Sequence, residues 1–197
     1  MLISRFDKYI KMHFMLKKIS LLAILFMGML SVKAQDVGYT TTDFGAEAQW
    51  QSSGGYTGMV HLAFNAAVHS GFQVRAGYNI LRRKDWGDAH AIENGNGPGA
   101  GIGYRYYFPF RPHQFFIGLR ADIWRLKIDW EDALLKGTSK TWTAHPAAEA
   151  GYMFLINDMV FITPAVSAGY ISNISTDGAD VGQGFVFTGG ISVGIKF

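Results

Sequence analysis

The chain contains no cysteine among its 197 residues, which excludes a disulfide scaffold, thiolate metal ligation and an acylated lipoprotein cysteine behind a leader. Proline is scarce, at five residues, and the 24 glycines follow no collagen-like period. With 49% apolar residues, neither a disordered chain nor a fibrous repeat fits. Long apolar runs are missing beyond residue 34, where no stretch approaches the roughly 18 residues of a membrane-crossing helix. A basic excess is missing too once the first residues are set aside. The formal net charge is +3, but residues 1–34 hold six of the 18 basic residues (Arg5, Lys8, Lys11, Lys17, Lys18, Lys33) and one of the 15 acids, Asp7. The remainder carries 12 basic against 14 acidic residues, so no nucleic-acid partner is expected.

That first segment has the order of a secretory signal peptide. Lys17 and Lys18 precede the apolar stretch Ile19 to Val32, and Val32 and Ala34 frame a cleavage site ahead of Gln35. The stretch falls short of the roughly 20 apolar residues that a bilayer-crossing helix needs. Cleavage after Ala34 is expected, with residues 1–11 a spurious extension upstream of a start at Met12 or Met15. Residues 35–197 are then the mature domain.

What the mature chain has is alternation. In Gly184–Phe197 the odd positions Phe185, Phe187, Gly189, Ile191, Val193, Ile195 and Phe197 oppose Gly184, Val186, Thr188, Gly190, Ser192, Gly194 and Lys196. Side chains alternate faces along a strand, so one face is apolar and the other small or polar. The same pattern runs through 60–68, 72–80, 100–108, 115–123, 142–154 and 160–170, and less cleanly through Tyr39–Trp50. Between Ile123 and Trp124 the apolar parity flips, to Trp124, Leu126, Ile128 and Trp130, which predicts a β-bulge. Eight strands result. Short turns are expected at 69–71, 109–113 and 156–158, and long polar loops at Gln51–Gly58, Arg83–Gly97, Glu131–Lys140 and Asn173–Gln183. Short and long connectors on alternate ends predict an all-β, up-and-down antiparallel barrel.

Polarity predicts which face is inside. One face collects Glu47, His61, Asn65, Arg75, Asn79, Arg105, Arg120, Asp122, Arg125, Lys127, Asp129, His145 and Glu149, and the other is nearly free of charge. A repeated uncharged band fits a lipid surround, where a mid-plane Arg or Lys costs about 2–4 kcal/mol. The polar network Glu47, His61, Arg75, Arg105, Arg120, Asp122, His145 and Glu149 is then expected in the lumen, with Arg125 also inward. Trp50, Trp86, Trp124, Trp130 and Trp142 are expected in one aromatic belt, and Phe72, Phe108, Phe110, Phe115, Phe154 and Phe197 in the other. Closure follows because unpaired strand edges are not tolerated in hydrocarbon, and eight strands leave a lumen that side chains fill.

With this pattern the chain resembles the small eight-stranded outer-membrane β-barrels of Gram-negative bacteria, of the OmpA-transmembrane, OmpX and OmpW type. The most specific element is the closing strand ending in Phe197, which looks like the C-terminal signal read by the barrel-assembly machinery. His145–Tyr152 and Thr163–Tyr170 also look like the glycine-tyrosine strands of such barrels. The resemblance implies an outer-membrane location, a monomer, and outer-membrane lipid and lipopolysaccharide as surroundings. It leaves no chain for the peptidoglycan-binding domain of the longer OmpA type.

Chemical motifs are few. The run Gly95–Gly103 holds several GxG units but is followed by no helix pattern, as a phosphate loop would need. A lipid A hydrolase or acyltransferase would need a Ser–His pair with an orienting carboxylate. The available residues are His145 or His61, Ser167 or Ser192, and Glu149, all expected inside the lumen. The loop acids Asp85, Asp88, Asp129, Glu131, Asp132, Asp177 and Asp180 lack a cation-ligand spacing. No catalytic residue, metal or cofactor is assigned. The expected function is a non-enzymatic barrel serving envelope integrity or surface interaction; the alternative is OmpW-like passage of small or apolar molecules, and a lipid A-modifying enzyme is the third reading.

Overall fold

The computed structural model describes residues 41–67, 69–87, 89–108, 114–156 and 159–197. The signal peptide, the start site, Phe110, Asp88 and the 109–113 turn lie outside the described residues. Eight strands follow in chain order: β1 (Thr41–Gln51), β2 (Gly55–Ala67), β3 (Ser70–Lys84), β4 (Ile92–Tyr107), β5 (Gln114–Glu131), β6 (Lys136–Ile156), β7 (Val160–Asp177) and β8 (Gly184–Lys196). Each pairs antiparallel with its sequence neighbours, and β8 pairs with β1 to close the barrel. The seam runs from Asp43 opposite Lys196 to Gln51 opposite Thr188. Phe197 extends it, accepting from the Thr42 N–H at 3.1 Å and donating to Thr42 O at 2.8 Å.

Two-residue alternation produces two surfaces. Outward positions carry half-exposed Phe44, Val60, Phe64, Val74, Ile102, Ile117, Leu119, Ile123, Val166, Ile191 and Val193, while their chain neighbours Asp43, His61, Asn65, Gln73, Arg75, Asp122, Ser167 and Ser192 are buried inside. Such inversion of the usual soluble pattern leaves an apolar belt on the outside and a polar interior.

The expected loops are mostly strand. β1 turns into β2 through Ser52-Ser53-Gly54, where Gly54 and Gly55 take φ of 97° and 123°, and the Gly54 N–H bonds Gln51 O at 3.0 Å. Backbone carbonyls of β3 stand where a Cβ on either glycine would lie, so glycine is required there. Besides this turn, the connections at this end are residues 85–91, 132–135 and 178–183. β5 and β6, at 18 and 21 residues, are far longer than the roughly 9–11 residues of a tilted membrane-crossing strand, so their upper parts rise beyond the apolar belt.

The predicted bulge between Ile123 and Trp124 is absent. β5 keeps register with β6 without a shift from Gln114 opposite Met153 to Glu131 opposite Lys136, and Ile123 and Trp124 face consecutive β4 residues, Ala100 and Gly99. The strand does not change face. Trp124, Leu126 and Ile128 point into the barrel, and Arg125, Lys127 and Asp129 point out. Register shifts occur instead between Asn65 and Ala67 on β2 and between Trp142 and Thr143 on β6, opposite Ser175 and Asn173.

Candidate functional site: a layered barrel lumen

At mid-height the inward positions of seven strands converge on an ion-pair layer. Arg75 on β3 reaches Glu47 on β1 at 3.3 Å and Asp122 on β5 at 3.2 Å. Arg105 on β4 donates from Nε to Glu149 Oε1 on β6 at 2.7 Å. Arg120 on β5 lies 3.8 Å from Asp122 Oδ2 and donates from Nη2 to Ser167 Oγ of β7 and Thr188 Oγ1 of β8, at 2.8 and 3.0 Å. Glu47 also accepts from Gln49, and Gln73 donates to Glu149 at 3.4 Å. Three guanidinium groups thus face three carboxylates, all buried, so the layer is charge-balanced. Balance matters because an unpaired ion in such a site carries several kcal/mol of desolvation. Below it, Asn65 donates to Asp43 at 2.8 Å, with Lys196 3.9 Å from the same carboxylate.

Apolar clusters close the lumen on either side of this layer. Toward the short-turn end stand Tyr107, Phe116, Met153 and Phe161, with the Arg105 guanidinium 4.4 Å over the Phe116 ring. Toward the other end stand Met59, Leu81, Trp124, Leu126, Ile128 and Val181, and Met59 Sδ receives Arg75 Nη2 at 2.7 Å. The arginines therefore tie the polar layer to both apolar ones.

Val181 comes from the β7–β8 connection, which folds into the mouth. Gly182 donates its N–H to Glu93 Oε1 at 2.7 Å, and its carbonyl accepts from Arg83 Nη1 at 3.2 Å. Arg83 and Glu93 also form a buried pair at 3.6 Å. Ser139 Oγ donates to Ala179 O at 2.8 Å, and Asn173 Nδ2 to Val181 O at 2.7 Å. Trp86 lies over the Arg83 guanidinium, 4.1 Å from ring centroid to Cζ. Above the mouth, His90 stacks on Trp130 at 4.1 Å and meets Asp132 Oδ2 at 2.9 Å, while the Ala91 N–H donates to Asp132 Oδ1 at 3.0 Å. The Ala91 N–H, and next His90, hold the Asp132 carboxyl below the ordinary carboxylate range.

Placement of the remaining expected residues is mixed. His61 and His145 are buried in the lumen. Trp50 and Trp142 stand outward and half-exposed, as does Phe154; Phe72 and Phe108 are partly covered at the short-turn end. Trp124 and Trp130 are corrections: both share the inward parity of Leu126 and Ile128. Trp124 is 3% exposed within the upper cluster, and Trp130 donates to Ser139 Oγ at 3.2 Å. Arg125 is likewise corrected, from lumen to outer face. Tyr56, Tyr78 and Tyr170 also stand outward; Tyr78 and Tyr170 share the outward parity of Ile80 and Val166, whereas Tyr56 lies in the stretch Gln51–Gly58 expected as a loop, where its parity with Val60 is the signal that could have placed it.

Ser167 Oγ is engaged by Arg120 and by Thr188 at 2.6 Å, and Glu149 by Arg105, so neither stands poised beside an imidazole as a hydrolytic triad requires. Asp129 accepts from Thr138 at 2.6 Å and Glu131 meets Lys136 at 2.6 Å. Among the described residues no group of three or more His, Asp or Glu side chains is placed to hold a metal ion.

No family model matches the chain, and no curated protein matches it. Solved structures do. The N-terminal β-barrel domain of Pseudomonas aeruginosa OprF is similar with a TM-score of 0.53 and 11% identity, covering 80% of this chain and 97% of that one. Neisserial surface protein A is similar at 0.52 and 14%, covering 80% and 95%. A major outer membrane protein from Thermus thermophilus is similar at 0.55 and 12%, covering 81% and 100%. The fold is that of the eight-stranded outer-membrane β-barrels.

Proposed function

We propose that the chain is a non-enzymatic outer-membrane barrel, monomeric and surrounded by outer-membrane lipid, with Phe197 as its assembly signal. Its closed lumen makes it a rigid membrane body, and its role is envelope integrity or contact at the cell surface. The carrying observation is the three-layer lumen: a charge-balanced network between two apolar clusters, with the 178–183 connection bonded across one mouth. The fold of the similar structures supports the location, and the raised ends of β5 and β6 supply a surface for contact.

Outer-membrane fractions should yield a band whose gel migration changes on boiling, and planar-bilayer recordings of the refolded barrel should show no conductance steps. Recovery from the soluble periplasm without a boiling shift would overturn the reading. Reproducible conductance would replace it with passage of small molecules, since a conducting state needs one apolar cluster or the 178–183 connection to open.

A further inference from the structure

The outward face of β5 and β6 breaks the pattern of the belt just above it. Lys127 and Lys140 are direct cross-strand neighbours, both exposed on the outer face. Like charges in that position destabilise a strand pair. Arg125 sits one outward position below Lys127, opposite Trp142, with its guanidinium carbon 5.9 Å from that ring. None of these three cations makes an ion pair among the described residues. The nearby acid Asp129 is held by Thr138 Oγ1, and Asp177 stands in register with Lys140 without closing to ion-pair distance.

Height and asymmetry narrow the partner. Ile123, 47% exposed, is the last apolar outward residue of β5, and half-exposed Trp142 marks the edge of the belt on β6. Each further outward position climbs about 6.6–6.8 Å along the strand, which sets Arg125 at the edge and Lys127 and Lys140 immediately above it. That is the level of lipid headgroup phosphates, where juxtamembrane cations act. Outward cations occur on β3 (Arg82, Lys84), β5 and β6; β1, β2, β7 and β8 show none on the outer face among the described residues, presenting Trp50, Tyr56, Tyr170 and Phe185 there instead. Lys136 is already neutralised by Glu131. The charge is therefore a one-sided patch rather than a uniform ring.

We propose that Arg125, Lys127 and Lys140 form a binding face for the phosphate groups of a phosphorylated glycolipid seated against β5 and β6 in the surrounding leaflet. The inference rests on the outer-membrane reading above. A headgroup phosphate between Lys127 and Lys140 converts their mutual repulsion into two attractive contacts, while the acyl chains lie on Ile123 and Leu119 below.

The test uses the folded full-length barrel in phosphocholine micelles, titrated with bisphosphorylated lipid A and read by tryptophan fluorescence and by lipid retained in native mass spectrometry. Lys127→Ala and Lys140→Ala should each weaken binding about fivefold, and Asp177→Asn should strengthen it. Equal affinity for dephosphorylated lipid A, or an unchanged affinity in the double variant, would overturn the proposal. So would displacement of lipid A by millimolar inorganic phosphate, which would assign the site to a free ion. A second readout guards against misfolded variants: Lys127→Gln should raise the unfolding midpoint in pure phosphatidylcholine bilayers and lower it when lipid A is present, and the same sign in both would overturn the proposal. A barrel with a normal boiling shift and no phosphate preference sinks this inference alone; a chain with no boiling shift sinks the outer-membrane reading first.

Discussion

In the middle of the lumen, inward positions carry Arg75, Arg105 and Arg120 against Glu47, Asp122 and Glu149; at either end, inward positions carry Phe116, Met153 and Phe161 or Trp124, Leu126 and Ile128. The two regions bury comparable side chains by different physics. The ends hold together by removing apolar area from water, without directional demands. The middle holds only where each ion meets its counter-ion, because the apolar ends keep water from reaching it. The ends thus create the conditions under which pairing in the middle becomes obligatory. They should fail differently when mutated.

The largest expected effect comes from breaking the Arg105–Glu149 pair. Glu149→Leu leaves the Arg105 guanidinium buried with its 2.7 Å partner gone, and should destabilise the barrel by about 3–5 kcal/mol. The double variant Arg105→Met/Glu149→Leu removes both charges and should recover most of that loss. Urea midpoints of the refolded barrels measure both. A double variant as unstable as the single one would mean that the guanidinium stabilises mainly through its stacking on Phe116.

The contrast between middle and ends also decides what could be read in advance. β3 and β8 alternate because their outer positions meet one environment and their inner positions the other, so Val74 and Val193 separate from Arg75 and Ser192 by polarity alone. The polar layer was legible for that reason. The upper half of β5 was not. Trp124, Leu126 and Ile128 are as apolar as any belt residue, and a lumen sealed from water selects such residues as strongly as lipid does. Hydrophobicity reports the absence of water and not which side of the wall it is absent from. Arg125 and Lys127 then face outward without burial in hydrocarbon because the strand has reached the edge of the belt and rises past it. The same rise hid strand in Arg83–Gly97 and Glu131–Lys140: with water outside and small or polar residues inside, neither face shows an apolar signature. Val181 carried no signal, since its burial depends on the fold of a loop.

An intermediate effect is expected from the upper apolar layer. Ile128, with 0% exposure between Leu126 and Val181, should cost about 2–5 kcal/mol on truncation to Ala. Unlike the Glu149 loss, it should not be rescued by a second charge-removing change, because no ion is left uncompensated. It should also loosen the 178–183 connection, seen as faster amide exchange at Val181 and Gly182. If Arg105→Met/Glu149→Leu were to restore the Ile128→Ala barrel, the division between the two regions would not hold.

The smallest effect lies outside both regions, at the Asp132 carboxylate that joins the β3–β4 and β5–β6 connections. Its pKa is depressed in the folded barrel, by the Ala91 N–H first and His90 next, so the link is fully present above the ordinary carboxylate value of 3.8 and is lost as pH falls through the lower folded value. Half-exposed as it is, the group contributes little to global stability, since such surface contacts are screened. Asp132→Asn should therefore leave the urea midpoint nearly unchanged at neutral pH while increasing protease nicking within residues 85–91. In the wild type the same nicking should rise only in strongly acidic buffer. A large global destabilisation from Asp132→Asn would show that the apolar upper layer depends on this link, and that the lumen's end is held from outside rather than by its own packing.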